Sequence, residues 1–153
     1  MSLALETDDG FTLIEILVVI TVIAILAGLV SPLVFRNVGD AKSTAAKAQI
    51  ESFALALDSY RRDNDYYPST AQGLAALQTL PTGEPAPRRW RGPYLRKAVP
   101  LDPWGKPYRY LSPGVATPSG YDLFSYGRDA TSGGLDEDAD VTSWGGSTPA
   151  GSP

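Results

Sequence analysis

From Phe11 to Phe35 the chain reads FTLIEILVVITVIAILAGLVSPLVF, apolar on every face of any helix it forms and interrupted by one charge, Glu15. At about 1.5 Å per residue such a helix runs about 37 Å, enough to cross the roughly 30 Å hydrocarbon core of a bilayer. A cleaved secretory signal has a shorter apolar region of about 7–15 residues, with a basic flank before it and a small-residue cleavage site after it. The segment matches none of these, and the pattern predicts a transmembrane helix over 11–35. Past Arg36 and Asn37 the pattern changes but does not stop. AKSTAAKAQIESFALALDSYRR is rich in helix formers, and Ile50, Phe53, Ala54, Leu57 and Tyr60 recur at the spacing of one helix face. Together the two patterns predict one long helix from 11 to about 62, whose second part, 36–62, is striped for packing on a domain. Gly28, Pro32 and Gly39 are its weak points, and a kink is expected near Pro32.

After Asp63 and Asn64 the pattern turns to proline, glycine, tyrosine and short alternating runs, which marks 63–153 as a separate globular part. STAQGLAALQTL (69–80) predicts a short helix capped by Ser69 or Thr70. PTGEPAPRRWRGP (81–93) is too rich in proline for regular structure and predicts a surface loop. PYRYL (107–111) and YDLFSY (121–126) predict two strands, paired antiparallel against the helix stripe. The fold class is therefore α+β.

Composition narrows the function. Thirteen basic against 17 acidic residues give a net charge of −4 with no basic excess, so nucleic acid is not the expected partner. The chain contains no histidine and no cysteine, which excludes disulfides, zinc sites built on those ligands and nucleophiles that rely on a histidine base. No G-x-x-x-x-G-K-[ST] phosphate loop is present.

One cluster has chemical potential. GRDATSGGLDEDADVTSW (127–144) sets Asp129, Asp136, Glu137, Asp138 and Asp140 among glycines. Hard cations such as calcium take six to eight oxygen ligands from carboxylates and carbonyls on a loop able to wrap them, and this stretch supplies both. It lacks the EF-hand spacing, and a solvated acidic loop accounts equally well for its composition. Trp90, Trp104 and Trp144 leave open a different class, a membrane-anchored calcium-dependent binding module that stacks a sugar ring, although tryptophans at such positions usually pack or shape turns.

G-F-T-L-I-E at residues 10–15, heading an apolar helix, resembles the processing site of the type IV pilin and pseudopilin superfamily. LDSYRRDNDYYPSTAQGLAAL (57–77), VPLDPWGKPYRYLSPG (99–114) and YDLFSYGRDATSGGLDEDADVTSW (121–144) are similar, more narrowly, to the major pseudopilins of type II secretion systems. The resemblance implies a pilin-like fold: a long N-terminal helix, a small antiparallel sheet packed on its second half, and a calcium-binding C-terminal loop. It implies a leader, residues 1–10, cut by a prepilin peptidase between Gly10 and Phe11, with methylation of the new amino terminus. Glu15 then pairs with the terminal amine of a neighbouring subunit as apolar helices pack into a filament core. Asp129 and Asp140 align with the family's side-chain calcium ligands, Asp138 falls where related sequences often carry another acid, and carbonyls around Tyr126 and Thr131 complete the set. Asp136 and Glu137 are expected to face solvent.

The implied function is structural, not enzymatic. Subunits held in the inner membrane by a single span, with the C-terminal domain in the periplasm, polymerise with themselves and with minor pseudopilins on an inner-membrane assembly platform. The resulting pseudopilus drives folded proteins across the outer membrane; a type IV pilin of a surface filament is the alternative. Two features depart from the family. The leader MSLALETDDG is acidic, and the nearest cations, Arg36, Lys42 and Lys47, favour the opposite orientation by the positive-inside rule, so the topology rests on the resemblance. Many pilins also close the C-terminal region with a disulfide, which this chain cannot form, and that makes a metal the more attractive staple.

Overall fold

A computed structural model describes residues 11 to 146, apart from the side chains of residues 29 to 37. The chain divides into two compact units, Met1–Asn37 and Val38–Pro153. One helix, α1 (Leu13–Asn64), contributes to both, and its assignment is unbroken at Gly28, Pro32 and Gly39. The kink expected near Pro32 falls where side chains lie outside the described residues.

In the first unit the large side chains of α1 are exposed on every face, from Leu13 through Ile16, Val19, Ile20 and Ile23 to Leu26. Among the described residues no helix is long and apolar enough to cross a membrane.

In the second unit α1 buries one face, formed by Ala46, Ile50, Phe53, Ala56, Leu57 and Tyr60, while Leu55 stands exposed. The stripe is the one the spacing predicts, with Ala56 at its centre and Ala54 only half-buried at its edge. Aromatic rings lock onto it: Phe53 meets Tyr108 edge-on with centroids 5.3 Å apart, and Tyr60 meets Tyr94 at 5.6 Å. The end of α1 is built from side chains. Buried Asn64 donates to the Tyr60 carbonyl at 3.0 Å and accepts the Arg89 N–H at 3.0 Å, which ties the proline-rich loop to the helix terminus, and Asp65 turns the chain with φ 71°.

The helix expected over 69–80 contracts to one short 3-10 turn, η1 (Leu74–Leu77). Neither Ser69 nor Thr70 caps it: its N-cap is Gly73, with no side-chain cap hydrogen bond, while Ser69 closes the preceding turn, its Oγ accepting the Gln72 N–H at 3.3 Å and its own N–H donating to Gln72 Oε1 at 3.0 Å. The obstacle is Gly73, at φ 58° and ψ −167°, which breaks the helical path between that turn and η1. The two expected strands form, shortened, as β1 (Arg109–Leu111) and β2 (Asp122–Ser125), and they pair antiparallel with Tyr110 opposite Leu123. Buried Asp122 shapes their connection, accepting N–H donors from Val115, Ala116 and Thr117 at 2.6, 2.7 and 2.9 Å. A third strand that the sequence pattern does not announce, β3 (Val141–Thr142), completes the sheet in the order β1-β2-β3. At two residues it is too short for an alternating signature, and it exists only because the acidic tail folds back on β2.

The buried tyrosines differ in a testable way. Tyr110 donates its hydroxyl to the Pro68 carbonyl at 2.8 Å. The fully buried Tyr60 hydroxyl has no hydrogen-bond partner among the described residues, and burial, with Tyr66 and Tyr94 adding, pushes its pKa up to about 12. Tyr110→Phe is therefore expected to lower stability by about 1–2 kcal/mol, and Tyr60→Phe to leave it unchanged or raise it by less than about 1 kcal/mol. Thermal denaturation of the two variants against the wild type checks this ordering.

Candidate functional site

The two places singled out by the sequence sit on different units. At the amino-terminal end, Gly10 lies outside the described residues and Phe11 is exposed. Thr12 is the cap of α1: its Oγ1 accepts the Glu15 N–H at 3.3 Å, and its carbonyl accepts from Glu15 and Ile16 at 3.1 and 3.3 Å. T-L-I-E is thus a capping-box sequence, and Glu15 places its negative charge in the first turn, where the unpaired N–H groups of a helix favour an anion. This local role for Thr12 and Glu15 is not among the expectations; the S/T-x-x-E spacing is the signal that carries it.

The second place is the tail between β2 and β3, which closes on itself at its base. The Arg128 N–H donates to the Glu137 carbonyl at 2.8 Å. Gly127 has φ 72°, and a side chain there would come within 2.7 Å of the Glu137 carbonyl and 2.9 Å of that of Ala139, so glycine is required on both counts. Asp129 curls onto Thr131, accepting its N–H at 3.0 Å and its hydroxyl at 2.6 Å. Those two bonds, with Arg128 adding, hold the Asp129 carboxyl below its usual value. Asp140 Oδ2 accepts the Gly133 N–H at 3.0 Å. Tyr126 packs its ring edge-on to Phe124 at 5.0 Å.

The three carboxylates expected to converge do not. Among the described residues no group of three or more Asp, Glu, His or Cys side chains gathers as a metal site. Asp138 is taken by Arg128, whose fork donates from Nε at 3.0 Å and from a terminal nitrogen at 2.9 Å. Glu137 corrects a second expectation. It does not face solvent but is half-buried, 3.8 Å from the Arg128 guanidinium and so close to Gly39 that a side chain there would strike its Cγ at 2.6 Å. Asp136 is exposed, as the pattern predicts. The loop keeps oxygen donors of the kind a hard cation takes, in the carboxylates of Asp129 and Asp140 and in its backbone carbonyls. Asp129 and Asp140 would hold the ion, with Asp138 free to join only on release by Arg128.

Trp90 and Trp144 serve packing. Trp90 donates its indole N–H to the Ala76 carbonyl at 3.1 Å and meets Tyr94 edge-on, and Trp144 lies edge-on to Phe124 at 5.7 Å.

A capped N-terminal helix, exposed and apolar at its start and striped where it packs on a three-stranded antiparallel sheet, defines a pilin-like protein, and the sequence from 8 to 31 matches the prokaryotic N-terminal methylation motif. Residues 33–144 match the profile of type II secretion system (T2SS) protein G, and the chain belongs to that family. It is 51% identical over 137 residues to a type II secretion system core protein G of Pseudomonas aeruginosa, covering 90% of this chain and 95% of that one. It is 44% identical to the core protein G of Aeromonas hydrophila, over 90% of this chain and 92% of that one. The crystal structure of the major pseudopilin from the type 2 secretion system of enterohaemorrhagic Escherichia coli superposes with a TM-score of 0.60 at 38% identity, covering 71% of this chain and 90% of that one. The role of the chain is that of a structural pseudopilin subunit and not of an enzyme.

Proposed function

We propose that the chain is cut between Gly10 and Phe11 by a prepilin peptidase, methylated on the new amino terminus, and held in the inner membrane by residues 11–35 with its C-terminal domain in the periplasm. An assembly platform then draws subunits into a homopolymer, joined by minor pseudopilins, that drives folded proteins across the outer membrane. The observation that carries this reading is the G-F-T-L-I-E junction directly ahead of a helix whose large Leu, Ile and Val side chains are exposed on every described face. A surface so apolar needs lipid or neighbouring copies of itself to cover it. Mass spectrometry of the membrane-extracted protein tests it: the expected chain begins at Phe11 and carries one methyl group, and Gly10→Val leaves an uncut form. Intact protein beginning at Met1 in cells with an active peptidase overturns the reading.

We further propose that the tail binds calcium through the Asp129 and Asp140 carboxylates and carbonyls of the turn that includes Tyr126 and Thr131. The ion would supply positive charge where like charges otherwise repel, and so fasten the loop. The chain's own residues do the rest. Thr131 aims Asp129, the Gly133 N–H aims Asp140, and the pairing of β2 with β3 holds both limbs of the loop together.

A further inference from the structure

The D-P-W-G turn at 102–105 carries a buried carboxylate with no role in the reading above. Asp102 is 5% exposed and Ser125, the last residue of β2, is 1% exposed. One oxygen of Asp102 closes its own turn, with Oδ1 accepting the Trp104 N–H at 3.1 Å and the Lys106 N–H at 2.7 Å. The other, Oδ2, accepts the Ser125 hydroxyl at 2.5 Å. Ser125 Oγ in turn accepts the Gly127 N–H at 3.2 Å. Gly127 is the left-handed residue at which the chain leaves the sheet, and the returning limb, through the carbonyls of Glu137 and Ala139, closes against it.

A serine hydroxyl has one proton on a free rotor and two lone pairs, so alone it does not commit to accepting from a particular N–H. A buried carboxylate is a strong acceptor that must be satisfied, and it commits that proton to itself. The lone pairs of Ser125 are then left for Gly127. We propose that Asp102 is a positioning residue for the tail loop, acting through the Ser125 hydroxyl to fix the direction in which the chain turns at Gly127. The D-P-W-G turn, remote in sequence, thereby sets how the two limbs of the acidic loop meet. For its consequence on calcium the inference rests on the calcium reading; for loop closure it stands without it.

Limited trypsin digestion of the full chain in detergent micelles tests this, because Arg128 lies inside the loop and exposed Lys97 provides an internal reference outside it. Ser125→Ala and Asp102→Asn are each expected to raise cleavage after Arg128 about tenfold relative to cleavage after Lys97, as loss of one buried hydrogen-bond link implies. The double variant is expected to match the single ones, since both break the same relay. Ser125→Thr, which keeps the hydroxyl, is expected to retain the wild-type ratio. Equal acceleration at both sites, an unchanged ratio in Ser125→Ala, or additive single effects overturns the proposal. Should Asp102→Asn not fold, Ser125→Ala decides the matter alone. Repeating the digestion with calcium separates the two readings: wild-type cleavage indifferent to calcium removes the metal and leaves the relay to be judged on the ratio.

Discussion

Glu15→Val is expected to enter the membrane at least as readily as the wild type while its yield of sheared filaments falls more than about tenfold. Insertion improves because a carboxylate within an apolar helix costs a few kcal/mol on insertion scales. Assembly fails because the charge that would neutralise a neighbour's terminal amine is gone, and about 1.4 kcal/mol per contact already corresponds to tenfold in association. The cap geometry at Thr12 supplies a competing explanation, in which Glu15 merely starts the helix. Glu15→Gln separates the two. Glutamine serves in a capping box but carries no charge, so charge pairing predicts that it assembles as poorly as Glu15→Val, and capping alone predicts near-normal filaments. Wild-type filament yield from both variants would end the pairing idea.

Calcium is expected to raise the melting temperature of the chain in detergent by about 10 °C when present at a hundredfold excess over its Kd, a linkage of about 2.7 kcal/mol spread over a small domain. Asp140→Ala should erase most of that gain. Magnesium should substitute poorly, since it demands a tight octahedron that a loop of mixed carboxylates and carbonyls does not offer. Because Arg128 already neutralises Asp138 and reaches Glu137, the loop has an internal cation, and the wild type without calcium should stay folded instead of collapsing. A melting curve unmoved by calcium and by chelator would identify the tail as an acidic loop held only by its own hydrogen bonds.

Local patterns transferred well into the structure. The stripe of Ile50, Phe53, Leu57 and Tyr60 could be read because helical periodicity is a property of neighbouring residues; the T-L-I-E cap, equally local, is missed when Glu15 is read only as a pairing charge. Strands β1 and β2 were visible as aromatic and β-branched runs between turn residues, although their ends were not, because pairing and not propensity decides where a short strand stops.

What the sequence determined by itself is the class: an apolar helix behind G-F-T-L-I-E, continued by an amphipathic stripe, admits few folds and no histidine- or cysteine-based chemistry. The tertiary structure alone decided which carboxylate answers to which partner. Asp138 goes to Arg128, Asp140 to Gly133, and Asp102, more than 20 residues away in sequence, to Ser125, whereas Asp129 meets Thr131 two residues on in a local turn. Composition counts charges, but a carboxylate takes whichever donors the backbone brings within about 3 Å, and for these three the donors are set by the return of the tail onto β2 and by the seating of the 102–105 turn against its end, contacts no local pattern encodes.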